Sequence, residues 1–139
     1  AVYDALLRDV AGIALTPEQA VGVLLGAPLA AGARLERAAL LPEAGVRIEV
    51  RRHGALEREV LDCDAAGHVQ RWAVLGAGGE LLLEARYGDR RTRGGVSFAN
   101  EVELRDLRTD ASVRIAWSRV ELDPVLPPEA FDLPAAAAP

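Results

Sequence analysis

Apolar residues recur first with a helical period and later with a period of two. Tyr3, Leu6, Leu7 and Val10 follow the i, i+3, i+4, i+7 spacing, which predicts a short amphipathic helix ending near Gly12. Thr16-Pro17-Glu18-Gln19 then has the composition of a helix start: Thr16 can cap, Pro17 fits the first turn, and Gln19 can complete a capping box. The second helix places Val21, Leu24 and Leu25 on one face and stops at Gly26, before Pro28. Helices this short are marginal alone, so their apolar faces are expected to pack on something larger.

From Val46 the period changes to two. Val46, Ile48 and Val50 alternate with Arg47, Glu49 and Arg51, as in a strand with one buried face. Further runs follow around Leu56 to Cys63, His68 to Leu75, and Glu80 to Tyr87, separated by turns at Gly54, Asp64 to Gly67, and Gly76 to Gly79. After a polar, Gly-containing stretch from Gly88 to Gly95, Phe98, Val102 and Leu104 mark a fifth strand. Val113, Ile115 and Trp117 mark a sixth, which places Trp117 inward, whereas Trp72 is open to either face. Val120 and Leu122 have the opposite parity, so an extra residue near Ser118-Arg119, a β-bulge, is expected to return them to the inner face. A Pro-rich tail carries Phe131, expected to dock on the domain.

These elements predict an α+β fold, with two short N-terminal helices on a curved, antiparallel six-stranded meander that forms an incomplete, unclosed β-barrel. The expected division is one domain over 1–134, with a helical lid at 1–28, the sheet at 44–123 and a C-terminal tail at 124–134. Residues 135–139 are expected to fray.

Candidate chemistry is sparse. An ordinary apolar fraction argues against disorder, and a net charge of −5 argues against a nucleic-acid surface. The short run Arg90, Arg91, Arg93 reads as a solvated turn. Cys63 is the only cysteine, so no intrachain disulfide is possible. Its expected role is that of a small buried residue rather than a reactive thiol. His53 and His68 sit beside turns, outside any nucleophile motif. Asp62, Cys63, Asp64 and His68 are close in sequence, but alternation sends Asp62 and Cys63 to opposite faces, which argues against a zinc site. The glycines at 76, 78 and 79 lack the lysine and following helix of a phosphate loop. No enzyme and no cofactor is expected. No run reaches the ~20 apolar residues of a spanning helix, and the chain opens at Ala1 without a signal-peptide pattern, so any targeting segment is expected to have been removed or to lie upstream.

Several segments, in order, resemble the LolA/LolB-like superfamily of bacterial envelope lipoprotein carriers and receptors. They are Leu15-Thr16-Pro17-Glu18 with Leu24-Leu25-Gly26-Ala27-Pro28, similar to a helical lid segment, and Leu61-Asp62-Cys63-Asp64-Ala65-Ala66-Gly67-His68-Val69, similar to a mid-sheet hairpin. The closing order also resembles the family: Val102-Glu103-Leu104, then Val113 to Leu122, then Pro127-Pro128-Glu129-Ala130-Phe131-Asp132-Leu133-Pro134. The likeness maps to the later portion of the family fold. The family's opening strands and upstream lipidated cysteine have no counterpart here, and Cys63 lies mid-domain.

The resemblance implies a helix-lidded half-barrel whose apolar cavity takes lipid or the acyl chains of a lipoprotein, in a periplasmic carrier or receptor of outer-membrane lipoprotein trafficking. An outer-membrane anchor would lie on upstream residues. The cavity lining would be Val21, Leu24, Leu25, Leu81, Leu83, Phe98, Val102, Leu104, Val113, Ile115 and Trp117. Burying about ten methylenes at roughly 0.8 kcal/mol each gives about 8 kcal/mol before binding costs, or micromolar affinity at best. Periodicity alone favours a filled, helix-covered core over a ligand cavity, in which case the domain is a protein-interaction module in envelope assembly or stress sensing. Closing a barrel around one small ligand takes about eight strands. Six leave surface uncovered, so a homodimer is expected to complement the helices.

Overall fold

The computed structural model describes residues 12–28 and 32–128. It is mostly antiparallel sheet, seven strands in sequential order with no pairing between the first and last, so the barrel is unclosed. The strands are β1 (Ala33–Leu40), β2 (Val46–Arg52), β3 (Arg58–Cys63), β4 (Val69–Leu75), β5 (Leu81–Arg93), β6 (Val96–Asp106) and β7 (Ala111–Ala116). Among the described residues there is one α-helix, α1 (Pro17–Leu24), and a short 3-10 turn at Pro42–Ala44. The helix expected over Tyr3 to Val10, the docking of Phe131 and the terminal alanines lie outside the described residues.

Three expectations about the sheet are corrected. The sheet has seven strands rather than six, because β1 carries no legible alternation: Arg34, Glu36 and Arg37 crowd its middle, and nearly all of it is exposed at the sheet edge. The Gly88–Gly95 stretch is not a loop. β5 runs through it to Arg93, and only Gly94 and Gly95, both at positive φ, make the turn. The expected bulge near Ser118 is absent, since β7 ends at Ala116 and the chain leaves the sheet. Trp117 adds one last bond, its N–H donating to the Asn100 carbonyl at 3.0 Å. The register shifts occur elsewhere, at Leu35/Arg37, Asp62/Cys63 and Val74/Leu75.

Residues directly opposite on antiparallel strands share a face, and the register sorts the sheet accordingly. Ile48, Leu61, Trp72, Ala85, Leu104 and Val113 form one row across the inner face, from β2 to β7. Ile13, Leu15, Ala20 and Val23 pack on this face from the N-terminal segment. Trp72, Val23 and Val102 are fully buried, so this part of the concave face is filled. Side chains of this kind contribute roughly 1.5–3 kcal/mol each when fully buried.

The capping box of α1 forms as its sequence indicates. Gln19 N–H donates to Thr16 Oγ1 at 3.1 Å, and Thr16 N–H donates to Gln19 Oε1 at 3.0 Å. The face is different from the expected one, because α1 buries Ala20 and Val23 while Val21 and Leu25 are 58% and 72% exposed. Both sets fit a helical period. The small Ala20 side chain lets the helix approach the sheet, and Tyr87 fixes its rotation by donating its O–H to the Val23 carbonyl. Just before the helix, the β6–β7 turn holds the chain through Thr109 Oγ1, which donates to the Gly12 carbonyl at 3.0 Å.

The outer face carries the buried Val60 and Ala73 together with a polar network. Arg47, Asp62, Arg71, Glu84 and Arg86 form a continuous chain of ion pairs across β2 to β5. Arg47 holds Asp62 below the usual carboxylate range. Burial pushes Glu84 upward, but Arg71 and Arg86 together hold it below its ordinary value.

Candidate functional site

Among the described residues, a groove of about 460 Å3 lies at the far end of the sheet, beyond the filled core. Its walls come from three places. Leu24 and Leu25 close the C-terminal end of α1, Val96 and Phe98 begin β6, and Trp117 to Leu122 follow β7. The local chemistry explains this assembly. α1 stops at Leu24 because Gly26, at positive φ, turns the chain, which leaves Leu24 and Leu25 at the rim. The Gly94–Gly95 turn lets β6 double back against β5. The segment after β7 then folds over that hairpin, and its Leu122 would touch a Cβ at Gly94. Arg93 donates to the Val120 carbonyl and ties the segment in place.

A second apolar void of about 120 Å3 lies under α1, between Ile13, Leu15, Ala20, Val23 and the β6–β7 residues Leu104, Val113 and Ile115. Leu24 borders both spaces. Leu25, Val96 and Leu122, which meet in the groove wall, are exposed large apolar side chains. An apolar cluster left in water is a common mark of an interaction surface.

The expected lining residues divide into four groups. Leu24, Leu25, Phe98 and Trp117 meet in the groove, and Leu104, Val113 and Ile115 line the smaller void with Leu24. Leu83 and Val102 are buried in the packed core, away from the groove. Val21 and Leu81 line neither space. Val96, Val120 and Leu122 are groove residues absent from that set. The even parity of Val96 with Phe98 was a usable signal, whereas Val120 and Leu122 reach the groove through a tertiary fold-back that periodicity cannot express.

Elsewhere the polar groups hold the structure together. Asp62 faces outward in the ion-pair chain, while Cys63 lies opposite Val46 and packs against the core. Burial pushes the Cys63 thiol up, which disfavours the thiolate. Asp64 accepts the backbone N–H groups of Ala66 and His68, each at 2.9 Å, and so closes the β3–β4 turn. Among the described residues, no group of three or more potential metal ligands converges. No described helix is long and apolar enough to cross a membrane.

Two carboxylates are buried on the inner face, each forked by an arginine. Glu59 accepts from Arg52 Nε at 2.7 Å and from Trp72 Nε1 at 3.0 Å. Asp106 accepts from Arg108 Nε at 2.9 Å and Nη2 at 2.7 Å, which lowers its pKa. Such paired groups anchor strand ends and lie away from the groove. No protein-family model, curated protein or solved structure matches this chain.

Proposed function

We propose that this domain is a non-catalytic binder of acyl chains, from a lipid or a lipoprotein, and that it acts as a periplasmic carrier or receptor in outer-membrane lipoprotein trafficking. The observation that carries this reading is the groove where Leu24, Leu25, Phe98 and Trp117 converge. Its volume of about 460 Å3 falls within the roughly 300–1,000 Å3 of small-molecule sites. An acyl chain needs apolar contact and no polar partner, which suits such a wall. The likeness of the sequence to LolA/LolB-like carriers supports the periplasmic setting.

A second reading rests on Trp72, Val23 and Val102, which fill the sheet centre. In that reading the exposed apolar rim receives a protein partner in envelope assembly or stress sensing. Native mass spectrometry of the purified protein separates the two. Lipid adducts that survive desolvation are expected for the binder. A bare 14.8 kDa species, with no adduct after incubation with lysophospholipid, would move the assignment to the interaction module.

A further inference from the structure

Resting on that reading, the geometry points to one class of ligand for the groove: an anionic single-chain lipid, with its chain over Phe98 and Trp117 and its phosphate or carboxylate head held by Arg91, Arg93 and Arg119. The arginines follow from the register of the β5–β6 hairpin. Arg91 pairs with Phe98 and Arg93 pairs with Val96. Directly opposite residues project from the same face, so two guanidinium groups lie on the face that forms the groove floor. Arg119 arrives from the segment after β7. All three line a concavity of about 270 Å3 that shares Phe98, Trp117, Arg119 and Val120 with the apolar groove. One wall therefore turns from apolar to cationic where the two concavities share residues.

Charge balance supports an anion at this end. Asp89 accepts from Arg91 at 3.0 and 2.7 Å, and Glu121 pairs with Arg119. Among the described residues Arg93 meets no carboxylate, and its bond goes to the neutral Val120 carbonyl. Three cations against two anions leave one positive charge beside apolar walls, which focus its field. A guanidinium carries five N–H donors, so those paired with a carboxylate still have donors for a ligand oxygen. A neutral head would gain none of this charge-assisted bonding.

The test uses the full chain and three probes: oleoyl lysophosphatidate, monooleoylglycerol and inorganic phosphate. Calorimetry and Trp117 emission follow binding. Lysophosphatidate is expected to bind about tenfold tighter than monooleoylglycerol, and raised salt should erode the difference. R91Q/R119Q should remove most of that advantage, while R91K/R119K should retain part of it. Both pairs are exposed, and Arg93 is left in place to hold Val120. Equal affinity for the two lipids, or an advantage that survives R91Q/R119Q, would overturn the headgroup assignment and leave acyl-chain binding standing. Inorganic phosphate binding as tightly as lysophosphatidate would also overturn it, by assigning the arginines to a free anion. Binding of neither lipid would overturn both readings.

Discussion

Tyr87 donates its phenolic O–H to the Val23 carbonyl across 2.7 Å, which ties the middle of β5 to the last turn of α1. Both groups are buried, and desolvation raises the Tyr87 pKa, so the phenol stays protonated and remains a donor. Tyr87→Phe should destabilise the fold by about 1 kcal/mol. The loss should be local. Hydrogen exchange across 17–25 should accelerate relative to 101–105, because α1 gains the freedom of a lid while β6 keeps its ladder. Equal acceleration in both would show that α1 and the sheet open as one unit.

Trp117 is half-buried in the groove, whereas Trp72 is fully buried with its indole N–H on Glu59. The Trp72 component of the emission should therefore be blue-shifted whatever the groove contains. The ligand-dependent component should vanish in Trp117→Phe. Lipid-induced change that persists in that variant would place the ligand away from the groove.

Asp106 is buried and forked by Arg108, and its pKa is lowered first by that hydrogen bond. A carboxyl group depressed on folding contributes stability above its unfolded pKa, near 3.9. That contribution is lost as pH falls through the folded value. Asp62, also lowered, acts with the same sign. Urea midpoints should hold from neutral pH to about 4 and fall below it. Asp106→Asn should cost about 1.5–3 kcal/mol at neutral pH and flatten that acid limb. An unchanged acid limb would show that Arg108 gives Asp106 no net stabilisation.

The open sheet has two edges, and both are guarded. β1 carries Arg34, Glu36 and Arg37 with a register shift at Leu35/Arg37, and β7 is six residues long with Arg114 exposed. Charge, bulges and short length all oppose edge-to-edge pairing. Light scattering at micromolar concentration should therefore give a 14.8 kDa monomer, in contrast to the homodimer expected from strand count alone. A mass that doubles with concentration would show that the apolar rim, rather than a strand edge, recruits a second copy.

Local physics decides much of this protein. The Thr16–Gln19 capping box, the period-two runs from Val46 to Leu104, and the glycine turns at 67 and 79 are written in short windows of residues. Side-chain direction in a strand and donor satisfaction at a helix start depend on neighbours within a few positions. Tertiary packing decides the rest. It makes β1 a strand because β2 offers it a ladder, although its own residues show no alternation. The face α1 presents is set by Tyr87, which lies 64 residues away. Trp72 falls inside because the register places it opposite Leu61 and Ala85. The groove belongs to this second group: Leu25, Phe98, Trp117 and Leu122 converge only after the segment following β7 folds back over Gly94. Contacts between residues so far apart depend on burial and on which hydrogen-bonding partners remain open, and neither quantity exists until the chain has folded.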